Sequence, residues 1–276
     1  MDEPRYCYRH PDRETGLSCS ECGRPICTEC MTPAPVGIRC PEHSGKPQGV
    51  AKVARTVQRV GGRETGLGLV TRALIGINVA VYLLELAGGA GVTASSGTIY
   101  EHGVLFGPYV EHGDWWRLLT AAFLHYGPIH LAMNMAGLYF VGTPLEYVLG
   151  RWRFLSLYLV SGLAGSAGAL VNRPLAATVG ASGAIFGILG AAFILERRGN
   201  YVFGGQAAGL ILINLLFTFV VPNIAIGGHI GGLIGGGIAM LALSHFRRSA
   251  LVSAACLLAI AVASVAVAYY KVRGYA

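Results

Sequence analysis

The sequence predicts an all-α polytopic membrane protein with a small cysteine-rich domain at its N-terminus. Three observations predict it. The chain of 276 residues is 53% hydrophobic and only 13% charged, against roughly 25% charged in soluble domains, and its mean hydropathy is +0.54. Apolar stretches approaching the roughly 20 residues that a bilayer core demands recur from residue 68 onward. The first 45 residues are different in kind, with six of the seven cysteines and few long apolar side chains. This composition excludes a soluble globular enzyme.

The cysteine-rich head comes first. Cys7 and His10, Cys19 and Cys22, Cys27 and Cys30, and Cys40 and His43 form four pairs, each with two residues between its members. Eight such ligands suit two tetrahedral zinc ions. No apolar signal segment precedes these cysteines, so the segment is expected in the reducing cytosol, where paired cysteines bind metal more often than they form disulfides. Sites closed by four protein ligands leave no position for a substrate, so a cytosolic protein partner is expected rather than catalysis. The spacing resembles a B-box type zinc finger, in which alternate pairs share a metal. That resemblance implies one ion held by Cys7, His10, Cys27 and Cys30 and another by Cys19, Cys22, Cys40 and His43; spacing alone leaves consecutive pairing open. The zinc-binding domain is expected over 1–45 and a basic juxtamembrane linker over 46–67. Lys46, Lys52, Arg55, Arg59 and Arg63 in that linker suit anionic lipid and equally well the excess of positive charge that cytoplasmic flanks carry.

Seven spans follow, at about 68–88, 128–149, 152–171, 181–196, 204–221, 227–245 and 250–270. The first six form a core over 68–246, and the seventh, with the tail, occupies 247–276. Cys256 in the seventh reads as a buried small hydrophobe. Glycine is abundant, 40 residues in all, and its concentration among apolar residues predicts helices packed backbone to backbone. The short fourth span implies a start below the membrane surface. With the N-terminus cytoplasmic, the inside loops carry Arg151, Arg153, Arg197, Arg198, Arg247 and Arg248. The outside carries only Arg117, Arg173, Lys271 and Arg273. That bias sets the orientation, and no nucleic acid partner is expected of positive charge so placed. Trp115 and Trp116, in the long segment after the first span, suit the headgroup level, and Arg117 beside them reads as an interfacial anchor.

Polar side chains at membrane depth are costly and point to function. The second span carries His130 and Asn134 on one face, the fourth begins at Ser182, and the sixth carries His229. All four are expected near the outer face. A serine becomes a nucleophile when a base takes its proton, and histidine is the usual base. Gly183 and Gly187 on one helix and Gly228, Gly232 and Gly236 on another allow the close approach that would join Ser182 to His229. C-terminal to Asp114 the only carboxylates, Glu146 and Glu196, fall at the opposite helix ends, so a Ser-His dyad is expected rather than a triad. His130, Asn134 and the free N–H groups of a helix beginning at Ser182 are candidate oxyanion donors.

Trp115-Trp116-Arg117, the HLAMN of 130–134, the GASG of 180–183 and the HIGGLIGG of 229–236 stand in the order and spacing of the rhomboid intramembrane serine proteases, which the chain resembles from about 70 to 245. The resemblance implies a rhomboid-like six-helix core, with the seventh helix as an addition. It implies Ser182 as nucleophile, His229 as general base, His130 and Asn134 as oxyanion partners, and His125 as a supporting residue at the mouth of the site. It further implies a water-filled cavity and transmembrane protein substrates entering from the lipid bilayer and cut near small residues. Catalysis needs no cofactor beyond the protein. The expected setting is the plasma membrane, with the active site facing outward. The rival reading is an inactive rhomboid-like scaffold or chaperone for membrane proteins; the intact Ser182 and His229 favour the enzyme.

Overall fold

The computed structural model describes residues 4–34, 37–44, 68–90, 92, 96–220 and 224–275, and the basic linker expected at 46–67 lies outside them. The chain divides into two compact units, Met1–Arg63 and Glu64–Ala276.

The first unit is made of turns and short strands. Strands β1 (Tyr6–Cys7) and β2 (His10–Glu14) pair antiparallel, with Cys7 opposite His10. Strands β3 (Thr32–Pro33) and β4 (Ile38–Arg39) form a second ribbon. Among its described residues the buried apolar ones are five cysteines and Ile26. One aliphatic side chain cannot supply a folding core at this size, and domains so small commonly rely on metals or disulfides.

The second unit is helical. Its long elements are α1 (Leu69–Ala87), α7 (Arg151–Asn172), α8 (Ser182–Arg197), α9 (Ala207–Val220), α10 (Ile226–His245) and α11 (Ala250–Val272). The second span is one helical run in three parts: α5 (Pro128–Gly137), a π-helical turn at Leu138–Gly142, and α6 (Thr143–Leu149). Helices α1, α7, α10 and α11 are long and apolar enough to cross a membrane, and α9 is a shorter apolar helix. This is a polytopic, rhomboid-like helical membrane protein. Its outward surface is apolar, with Leu212, Ile213, Leu251 and Leu258 at least 64% exposed, as side chains meeting lipid should be.

The interior is organised by glycine. Helix α8 is enclosed by α7 and α10, and the three meet through backbone. A Cβ on Gly232 would collide with the Gly183 carbonyl, one on Gly236 with the Gly187 carbonyl, and one on Gly190 with the Leu233 carbonyl. Gly165 of α7 brings its own Cβ direction to 3.1 Å from the Gly183 Cα. Without competing lipid-exposed side chains, close backbone approach is what holds membrane helices together.

Two buried carboxylates organise the end of the bundle remote from Ser182. Glu146 accepts the Val70 and Thr71 N–H groups at 2.9 and 2.8 Å, capping the start of α1. Glu196 accepts from Phe203, Gly205 and Ala207, fixing the turn into α9. Both satisfy N–H groups that a helix start leaves unpaired.

Between α1 and α5 the chain forms short helices α2 (Thr98–Gly103), α3 (Gly107–Glu111) and α4 (Arg117–Thr120) and a single 3₁₀ turn at Ala121–Phe123. Arg117 is buried inside this segment rather than anchored at an interface. It pairs with Asp114 at 2.8 Å, donates to the Glu101 and Val104 carbonyls at 2.6 and 3.0 Å, and lies over the Tyr109 ring. The neighbouring tryptophans gave the wrong guide, because the guanidinium turns inward to acceptors that only the folded loop assembles. Cys256, expected to be buried, is partly exposed on α11.

Candidate active site

Ser182 is the first residue of α8, directly after the N-cap Ala181. The loop that leads into it is pinned on two sides. Leu105 and Thr178 exchange backbone hydrogen bonds of 3.1 and 2.9 Å, and the Gly107 N–H donates to the Pro174 carbonyl at 2.8 Å. The Gly180 N–H donates to the Ala121 carbonyl at 2.8 Å. Gly180 has φ of +122°, a conformation that glycine adopts without a steric penalty. A side chain there would also strike the His130 ring, 2.7 Å from Cε1 and 2.8 Å from Nε2.

His229 lies in the first turn of α10, buried and stacked on Phe186 of α8 with ring centroids 4.1 Å apart. Its Nε2 is 2.7 Å from Ser182 Oγ. On the other side of the ring, Nδ1 is 2.7 Å from Thr218 Oγ1 of α9. The glycine contacts described above bring α8 and α10 close enough for the first of these distances.

His130 and Asn134 share one face of α5. The Tyr126 N–H reaches His130 Nδ1 at 3.3 Å. Because a backbone N–H can only donate, Nδ1 is the acceptor and the neutral ring carries its proton on Nε2, the nitrogen that edges onto Gly180. Asn134 Nδ2 spends one proton on the His130 carbonyl at 2.9 Å and keeps the second. Both groups line the same cavity as Ser182 and His229, with a volume of about 960 Å³. Its wall passes from Ile129 and Met133 on α5 to Asn214, Phe217 and Thr218 on α9. The arrangement offers a hydroxyl, a base aimed at it, and hydrogen-bond donors beside it.

His125 is buried behind His130, with ring centroids 5.1 Å apart, rather than standing at the mouth. Its ring nitrogens have no partner among the described residues. Sequence reasoning missed Thr218, Phe186 and Glu85. Glu85 is a buried carboxylate of α1. An acid within an apolar helix is a visible signal, whereas Thr218 in an apolar run carries none.

In the first unit the eight predicted ligands gather into two sets, Cys7, His10, Cys27 and Cys30, and Cys19, Cys22, Cys40 and His43, each with its ligand atoms within 4.8 Å of one another. His10 Nδ1 lies 3.8, 3.4 and 3.4 Å from the sulfurs of Cys7, Cys27 and Cys30. Zn–S and Zn–N bonds of about 2.3 and 2.0–2.1 Å at a tetrahedral angle place neighbouring S and N about 3.5 Å apart, and two sulfurs about 3.8 Å apart. The Cys22–Cys40 sulfur separation of 3.7 Å fits as well. Both sets could hold a metal ion.

Residues 112–246 match the family described as Rhomboid domain. Rhomboid protease GluP of Bacillus subtilis (strain 168) is 42% identical over 189 residues, covering 66% of this chain and 36% of that protein. Putative rhomboid protease YdcA of the same organism is 39% identical over 132 residues, covering 46% of this chain and 66% of that protein. RHOMBOID-like protein 7 of Arabidopsis thaliana is 38% identical over 148 residues, covering 51% of this chain and 47% of that protein. The chain thus spans between about a third and two thirds of the length of these relatives. These matches support the rhomboid family, and the chain carries a rhomboid domain.

Proposed function

We propose that this rhomboid domain is an intramembrane serine protease that hydrolyses peptide bonds in or near transmembrane segments of membrane proteins. The observation that carries the reading is the 2.7 Å contact between Ser182 Oγ and His229 Nε2 on the wall of a large cavity. His229 takes the Ser182 proton as Oγ attacks the substrate carbonyl. The oxyanion that forms receives the His130 Nε2–H, the free Asn134 amide proton and the N–H groups at the start of α8, where the helix dipole also favours negative charge. His229 then passes the proton to the leaving amine. Water, activated by the same histidine, hydrolyses the acyl-enzyme and restores Ser182.

The same distance weighs against an inactive scaffold, which has no need of a serine aligned with a base. The two cysteine and histidine sets are structural zinc sites in a B-box-like domain, on the donor chemistry of thiolate and imidazole. When bound, zinc supplies cross-linking of the head and no catalytic step. The charge bias of the loops supports a cytoplasmic N-terminus and an outward-facing site, and the plasma membrane is the setting proposed for it.

Ser182→Ala and His229→Ala should each abolish cleavage of a single-pass substrate by purified protein in detergent, with helicity unchanged. Undiminished turnover in either would remove the pair from the chemistry. Asn134→Ala should lower kcat by about a hundredfold, in line with the roughly 2.7–4 kcal/mol that one oxyanion donor contributes elsewhere.

A further inference from the structure

Stacking on Phe186 fixes the plane of the His229 ring but not which nitrogen carries the proton. That choice falls to a side chain on a third helix. Thr218 is 2% exposed, and its Oγ1 lies 2.7 Å from His229 Nδ1 and 2.8 Å from the Asn214 carbonyl oxygen. A threonine hydroxyl has one proton to give and two lone pairs. The Asn214 carbonyl can only accept, so the hydroxyl proton goes there. The contact with the ring must then be Nδ1–H donating to Oγ1. The reverse arrangement would set the hydroxyl lone pair against the carbonyl lone pair at 2.8 Å.

With the proton on Nδ1, Nε2 presents a bare lone pair to Ser182 Oγ. We propose that Thr218 is the third member of this group, a positioning residue that holds His229 in the base-competent tautomer and accepts from the imidazolium formed when Ser182 reacts. The inference rests on Ser182 and His229 being the acyl-transfer pair. In water-soluble triads a buried carboxylate orients the histidine. Inside a membrane such a charge is expensive, whereas a hydroxyl relayed to a backbone carbonyl directs a dipole the same way and remains neutral. Among the described residues, no carboxylate lines the cavity.

The test uses the full chain in detergent with Thr218→Val, which keeps the shape and removes the hydroxyl, and Thr218→Ser, which restores it. Turnover of a single-pass substrate and the rate of Ser182 labelling by a fluorophosphonate should both fall about tenfold to a hundredfold in Thr218→Val, with KM within about twofold of wild type. Thr218→Ser should recover most of the loss, which a packing defect would not allow. In ¹⁵N-histidine spectra the His229 signals, identified by their absence in His229→Ala, should show the Nδ1–H tautomer in wild type and a mixture in Thr218→Val. Wild-type kcat and labelling in Thr218→Val would overturn the proposal. So would an Nε2–H tautomer in wild type, a measurement that stands even if Thr218→Val does not fold. A wild type that shows the Thr218-dependent tautomer yet neither labels nor cleaves would support the assignment of the hydrogen bond and sink the protease reading instead.

Discussion

The two units of this chain differ in what brings their parts together: the head buries a single aliphatic side chain among cysteines, whereas the membrane unit has an aliphatic core and adds to it close contact between helix backbones. The head has side chains that converge on two points, eight sulfur and nitrogen ligands around almost no apolar volume. The membrane unit joins its three central helices by leaving side chains out, so that carbonyls of α8 lie where a Cβ of α10 would be. The first gathers donors that could hold metal ions, and the second gains close helix contact from the side chains it omits.

The largest effect should come from metal removal. Chelation, or Cys19→Ser with Cys22→Ser, should strip metal and unfold the head, because structural zinc contributes about 10–16 kcal/mol in comparable small domains. Elemental analysis should find about two zinc ions per untreated chain, as eight ligands at four each require. Circular dichroism of the helices and cleavage by the bundle should survive. Removing residues 1–63 altogether should likewise leave cleavage of a simple substrate in detergent, since every proposed reacting group lies beyond them; a stable but inert product would break the separation drawn here.

Next in size is Gly232→Val. Its branched side chain would drive α10 away from the Gly183 carbonyl, costing about 3 kcal/mol or more and separating Ser182 from His229. Thermal unfolding should shift down and fluorophosphonate labelling should be lost. Gly209→Ala is the control, because nothing lies within 4 Å of a Cβ there. The same measurements should show no loss of stability, and helix propensity even favours the alanine slightly.

The smallest effect tests a fastening of a third kind. Glu111 accepts the Gly274 and Tyr275 N–H groups at 2.6 and 2.9 Å, tying the segment after α11 to α3. Glu111→Ala should cost about 1 kcal/mol, a typical net value for such bonds, seen as a small fall in melting temperature.

Much of this was legible in sequence because the bilayer allows few solutions. Each predicted span corresponds to a helix, within a few residues at either end, since an apolar run of that length has no other way to pair its backbone. Ser182, His130, Asn134 and His229 stood out as polar groups where polarity is costly. Cys7, His10, Cys27 and Cys30 lie together in the head, as do Cys19, Cys22, Cys40 and His43, which is the alternate grouping that the B-box resemblance implies. What escaped was whatever depends on distant partners. Thr218 looks like any β-branched residue until α9 meets α10, and Arg117 looks exposed until its loop closes over it. Sequence position places the carboxylates Glu146 and Glu196 at helix ends, but their use as caps for α1 and α9 requires chain segments brought together in space.

The π-helical turn at Leu138–Gly142 also left no trace in the apolar pattern. Five residues per hydrogen-bonded loop, instead of four, retard the rotation of the helix at that level. The second span therefore behaves as two screws of different phase joined end to end. Its upper part can present His130 and Asn134 to the cavity while its lower part turns Glu146 toward the start of α1, two bearings that one uniform helix would have to compromise.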